Sequence, residues 1–156
     1  MAAHRLPGRM IFNIELKSWP DRDNELHPPP EVYASLVAEE IRRSAMASRV
    51  RVQSFDGRLL REVWRRYPEL CYGLLVDEKS RLGDFAVETG FVPAYVNPYF
   101  SLMSPELVER LHSEGVRVVP WTVNSPEDML RLKRMGADGI ITDHPELALR
   151  LEELFA

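Results

Sequence analysis

The chain has 156 residues, enough for one core, and its 45% hydrophobic and 28% charged residues are an ordinary globular profile. Its 24 acidic residues outnumber 20 basic ones, a net charge of −4 that argues against a nucleic-acid binder. A single cysteine, Cys71, rules out an internal disulfide framework, and no apolar run approaches the roughly 20 residues of a membrane span.

Residues 1–9 read as an irregular lead-in, and MAAHRLPGRMIF lacks the apolar segment of a signal peptide. The expectation is a soluble cytoplasmic protein, one domain over 1–156. Residues 10–16, MIFNIEL, read as a strand with Glu15 at its carboxyl end. Glu15 and Lys17 are two apart and so share a face. The pair fits a surface ion pair or a functional pair at a strand end. The loop over 18–30 holds three consecutive prolines, which exclude regular helix. Its D-x-D spacing at Asp21 and Asp23 lacks the glycine and distal glutamate of a calcium loop, and His27 alone makes no metal site.

A helix is expected over 31–47, with Val32, Leu36, Val37, Ala38, Ile41 and Ala45 as its apolar stripe. Residues 49–55 read as a strand ending at Gln53 and Ser54, and Asp56-Gly57 as a turn. No histidine adjoins Ser54 in sequence, so it is read as a strand-end hydrogen-bonding group rather than a nucleophile. Leu59, Leu60, Val63 and Trp64 give the next helix an inward face, and Pro68 stops it. The run over 71–76, CYGLLV, is apolar throughout, as buried parallel strands are, and makes Cys71 a buried thiol.

A weak helix over 80–88 precedes a short strand over 94–96 that ends at Asn97-Pro98-Tyr99. Ser104-Pro105 opens a helix that Gly115 closes. Residues 116–123 form a β-branched strand, Ser125-Pro126 starts a helix with Met129, Leu130, Leu132 and Met135 on its apolar face, and Gly136 ends it. Ile140 and Ile141 make a second buried strand over 139–142, followed by a helix from Pro145. Six strands alternating with helices imply an α/β fold with a parallel sheet. In such sheets chemistry sits at the strands' carboxyl ends, where Gln53, Ser54, Asn97, Trp121, Asn124, Thr142 and Asp143 stand. Asn124 and Asp143 suit helix caps as well as a site, and Trp121 suits packing as well as binding.

The run VVPWTVNSPEDMLRLKRMGADGIITDHPELA closely resembles the C-terminal end of glycerophosphodiester phosphodiesterases. There a strand ending in W-T-V-N is followed by a helix and then by G-(V/A)-D-G-I-(I/F)-T-D-x-P. Asn13-Ile14-Glu15-Leu16-Lys17 is similar to that family's N-(I/V)-E-(I/L)-K, and Gln53-Ser54-Phe55-Asp56 to its (S/Q)-S-F-(D/N). An asparagine often stands where Asn97 does. The resemblance implies an incomplete (β/α)8 barrel of about six units, aligned with family strands three to eight. It implies hydrolysis of a small glycerophosphodiester to glycerol 3-phosphate and an alcohol, with a divalent cation, Mg or Ca. In that frame Glu15 binds metal, Lys17 contacts the phosphate and Trp121 packs on the glycerol.

The family's two catalytic histidines and its other metal carboxylates belong to the two units that are not aligned. His4-Arg5-Leu6-Pro7-Gly8 is not read as the family's His-Arg-Gly, because the next strand follows too closely. No catalytic residue is therefore assigned in this chain. Weak cation binding and little turnover by the isolated chain are the expectations, with a truncated frame, a split protein and a degenerate paralogue all open. The alternative is a phosphate-ligand-binding or assembly module, pairing copies through open sheet edges. A Schiff-base role for Lys17 fits the adjoining glutamate less well.

Overall fold

The computed structural model describes residues 10–151, so the lead-in at His4 to Gly8 lies outside the described residues. The chain divides at Tyr72/Gly73 into two compact units.

In the first unit, β1 (Phe12–Glu15) and β2 (Val50–Ser54) pair in parallel, from Phe12 opposite Val50 to Glu15 opposite Gln53. Between them runs α1 (Pro30–Ser44), which starts on a proline and ends at Ala45 in the left-handed region. Its buried face is Ala34, Ala38 and Ile41, spaced at the helical repeat. Val32 and Leu36 were expected inward but are 52% and 55% exposed. Each is two residues from Ala34, which turns it to the far side of the helix. The small alanines let α1 approach α2 (Gly57–Arg66), whose Leu59, Leu60 and Val63 are fully buried. Each of those side chains contributes roughly 1.5–3 kcal/mol by leaving water. Trp64 is half-buried.

Asp56 caps α2 and does more than turn the chain. Its Oδ1 accepts the Arg58 main-chain N–H at 3.0 Å and Arg58 Nε at 3.2 Å. Its Oδ2 accepts Arg58 Nη2 at 2.9 Å and the Ser18 hydroxyl at 2.7 Å. Arg58 also makes a two-pronged pair with Asp23. Burial pushes the Asp56 carboxyl up, but these hydrogen bonds and the Arg58 charge outweigh it and hold the carboxyl below the usual carboxylate range.

β3 (Cys71–Val76) spans the division between the units. Cys71, at its first position, is exposed rather than buried. The apolar run it begins is buried only from Tyr72 onward.

In the second unit, β3 pairs in parallel with β4 (Tyr95–Pro98), and β4 with β5 (Arg117–Val118). The weak helix over 80–88 resolves into a 3₁₀ turn at Lys79–Leu82 and α3 (Phe85–Thr89), tied by an Arg81–Glu88 ion pair. α4 (Pro105–Ser113) and α5 (Pro126–Arg134) are capped by Ser104 and Ser125 as their sequences predict, and α6 (Pro145–Arg150) also starts on proline. Met129 and Leu132 are fully buried in α5, whereas Leu130 is 37% exposed.

The two last expected strands differ from the sequence reading. β5 is two residues long, not eight, because Pro120 supplies no N–H. Ladder-like bonds resume beyond it, with Trp121 N–H donating to Pro98 O at 3.1 Å. No strand forms over 139–142, so the described residues hold five strands rather than six. The segment still follows β5, with Ile141 N–H to Pro120 O at 2.9 Å and Val123 N–H to Ile141 O at 2.8 Å. Its ladder fails because the Asp138 carboxylate takes the Val118 N–H at 2.8 Å, in place of a main-chain carbonyl. The same carboxylate oxygen meets His112 Nε2 at 2.9 Å.

Two measurements test this account. Asp56→Ala should lower unfolding stability in urea by about 2 kcal/mol, the scale of losing a helix cap together with the hydrogen bonds of a buried carboxylate. A carboxyl depressed in the folded state contributes stability that is complete above its unfolded value of about 3.9 and is lost as pH falls through the folded value. Asp56→Asn should therefore flatten the acid limb of stability below about pH 4, and an unchanged limb would contradict the network. Gly115 and Gly136 both have positive φ, +75° and +91°. A Cβ at Gly115 meets open space, so Gly115→Ala should cost about 1 kcal/mol in melting experiments. A Cβ at Gly136 would meet Val108 Cγ1 at 3.4 Å, so Gly136→Ala should cost more, and the reverse order would refute the packing reading.

Candidate active-site residues

The strand-end residues expected to carry chemistry fall in both units. Glu15, Lys17, Gln53 and Ser54 lie in the first, and Asn97, Trp121 and Asn124 in the second.

In the first unit, alternation along β1 sets Asn13, Glu15 and Lys17 on one face. Asn13 Nδ2 donates to Gln53 Oε1 at 2.9 Å, which fixes the buried glutamine. Lys17 Nζ lies 2.7 Å from Glu15 Oε1. That oxygen is nevertheless sealed from water and has no hydrogen-bond partner. The two facts are compatible: the ammonium is at ion-pair distance but off the direction that a hydrogen bond needs. The lysine side chain is 65% exposed, so solvent screens the pair and its stabilising worth is small.

A buried carboxylate oxygen with unmatched lone pairs suits a hard cation, which takes oxygen ligands. Glu15 therefore fits as one ligand. A complete shell needs several more oxygens, and among the described residues no group of three or more His, Cys, Asp or Glu could hold a metal.

Ser54 is fully buried and donates to Leu16 O at 2.7 Å, while accepting the Asp56 N–H at 3.1 Å. Its hydroxyl is thus committed to structure. His27 is likewise committed. Its Nε2 accepts the Trp19 N–H at 2.8 Å, which leaves Nδ1 to donate to Pro28 O at 3.0 Å, and its ring stacks on the 48% exposed Trp19. The loop over 18–30 is braced rather than loose. Beside its pair with Arg58, Asp23 forms a bridge with His27.

In the second unit, Trp121 is half-buried and donates Nε1–H to the Asn97 carbonyl at 2.7 Å. A cis peptide joins it to Thr122. The Tyr99 ring packs 5.2 Å from Trp121 and 4.9 Å from Phe100, and remains 38% exposed. Asn124 caps no helix. Its Oδ1 accepts Thr142 Oγ1 at 3.2 Å and the Asp143 N–H at 3.0 Å, and its Nδ2 donates to Asp143 Oδ2 at 2.9 Å. It is a clasp between the loops after β5 and before α6.

Sequence reasoning missed Ser18 and the reach of Asp56. The aspartate before a helix was a signal for a cap. Nothing in the sequence linked it to a serine 38 residues earlier.

Residues 10–147 match the model of the glycerophosphoryl diester phosphodiesterase family. A glycerophosphodiester phosphodiesterase from Caldanaerobacter subterraneus subsp. tengcongensis is 33% identical over 141 residues, covering 90% of this chain and 55% of that protein. One from Bacillus altitudinis is 28% identical, over 92% and 56% of the two chains. Among solved structures, a Silicibacter pomeroyi DSS-3 protein provisionally described as a glycerophosphoryl diester phosphodiesterase superposes with TM-score 0.78 at 31% identity, over 94% of this chain and 52% of its own. An Oleispira antarctica phosphodiesterase, solved with the product sn-glycerol-3-phosphate, superposes with TM-score 0.67 at 18% identity, over 92% and 56%, a likeness of fold alone. The chain spans about half the length of the curated relatives it matches. Its parallel β/α units correspond to part of the family's (β/α)8 barrel. By sequence and by fold, the chain belongs to the glycerophosphoryl diester phosphodiesterase family.

Proposed function

We propose that this chain takes part in metal-assisted hydrolysis of a glycerophosphodiester, giving sn-glycerol 3-phosphate and an alcohol. The observation that carries the reading is the Glu15 Oε1 atom. It is buried without a hydrogen-bond donor, on a family motif, with an exposed ammonium 2.7 Å away. The exposed Lys17 ammonium compensates that buried oxygen only in part, which leaves it suited to a cation. A divalent cation, Mg or Ca, would supply charge neutralisation at the phosphoryl oxygens when bound. Glu15 offers it one oxygen ligand. Lys17, exposed at its tip, binds a phosphate oxygen as a point charge. Trp121, its ring direction locked by the Asn97 carbonyl, offers an apolar face to the glycerol carbons.

A second reading is a module that binds phosphorylated ligands without turnover. It is favoured by the scarcity of clustered metal-ligating side chains among the described residues.

Calorimetry with sn-glycerol 3-phosphate and Mg or Ca separates the possibilities. Lys17→Ala should weaken binding about 10-fold or more, the worth of one charge-assisted contact. Glu15→Gln should remove the cation's enhancement of that binding. Unchanged affinity in both variants would overturn the proposal. Turnover of glycerophosphocholine that Glu15→Gln abolishes establishes hydrolysis, whereas binding without turnover establishes the module.

A further inference from the structure

Lys17 is held by its neighbours, not by itself. On one side, Leu16 is 5% exposed, its N–H donates to Gln53 O at 2.8 Å, and its carbonyl accepts the Ser54 hydroxyl at 2.7 Å. On the other, Ser18 is 6% exposed and its hydroxyl donates to Asp56 Oδ2 at 2.7 Å. Ser54 and Asp56 are themselves joined, since the Asp56 N–H donates to Ser54 Oγ at 3.1 Å. Arg58 then holds the Asp56 carboxylate in place through three contacts, its main-chain N–H, Nε and Nη2. The corner after β2 thus grips the three residues that leave β1, on both flanks of an otherwise exposed lysine.

We propose that Ser18, Ser54 and Asp56 are positioning residues that set where the Lys17 ammonium and the Glu15 carboxylate meet a phosphate ester. The proposal rests on the phosphate role given to Lys17 above. None of the three needs to touch substrate, and all of them are too buried to do so by themselves. Their effect is on the main chain at 16–18. With either flank released, that segment gains freedom and the ammonium spreads over more positions. A flexible four-carbon stem cannot correct for a displaced Cα without losing one of its two targets, Glu15 or the phosphate. Groups that orient a metal ligand from behind typically change affinity 10–100-fold when removed, and misplacement by about 1 Å can cost as much.

The grip also explains a pattern that packing alone leaves unexplained. A buried carboxylate with every lone pair engaged is costly to assemble, and a small apolar residue would fill the same corner with less desolvation. The corner instead keeps an ionised side chain whose one remaining contact is the serine beside Lys17.

The test uses the 156-residue chain with sn-glycerol 3-phosphate and Mg or Ca. Ser18→Ala should weaken binding about 10-fold in the wild-type background and change nothing further in the Lys17→Ala background. A merely structural serine would weaken binding equally in both backgrounds, and that additivity would overturn the proposal. A second readout is independent of phosphate. In the wild type, Glu15→Gln should shift the ¹⁵Nζ resonance of Lys17, and Ser18→Ala should shrink that response by at least half. Ser54→Ala, which frees the other flank, should shrink it as well. A full response retained in both variants refutes positioning whatever the calorimetry gives. If Lys17→Ala leaves binding unchanged while the resonance coupling collapses in Ser18→Ala, the positioning stands and the phosphate role falls.

Discussion

The first unit depends on one buried negative charge. Asp56 stands just after β2, caps α2, pairs with Arg58 and reaches back to Ser18. A carboxylate in that place is tolerable only because every lone pair is engaged. Arg58 is itself shared with Asp23, so the charge is balanced on both sides of the loop that leaves β1. The result joins a strand end, a helix start and a long proline-rich loop into one rigid corner. Precision at Lys17 follows from that rigidity, since loops hold functional groups only as well as their anchors allow.

The second unit achieves order differently. Around Trp121 and Asn124 most of the anchoring groups are neutral. Trp121 is oriented by a carbonyl, the loops are clasped by an amide, and the aromatic rings of Tyr99, Phe100 and Trp121 lean on one another. The Asp138 carboxylate keeps the 139–142 segment from forming a strand by taking the Val118 main-chain N–H that this segment would have used. Local chemistry thus ends the sheet before the apolar pattern does.

Much of this was legible in the sequence. Serine and proline at the starts of α4 and α5, and positive-φ glycines after them, are strong local signals because cap geometry is decided within a few residues. The alternation that pairs Glu15 with Lys17 was legible for the same reason. What escaped was anything set by distant partners. Val32 and Leu36 looked like core residues until the neighbouring helix chose the alanine face. Cys71 looked buried because its run is apolar, although only its later members are covered. Ile140 and Ile141 read as a strand because apolar composition cannot reveal that Asp138 pre-empts the ladder. Ser18 carried no signal at all, since its meaning lies wholly in Asp56. The motif shared with the phosphodiesterases located Glu15 and Lys17, but no motif letter distinguishes a residue that binds from one that holds the binder still.

Asn124 closes the family's W-T-V-N signature, and its side chain shows why that last letter is an amide. Oδ1 faces two donors and Nδ2 faces a carboxylate. Aspartate has nearly the same shape, yet would set oxygen against oxygen at Asp143. Deamidation, a change of one heavy atom with no change of bulk, would convert the clasp between those loops into a repulsion.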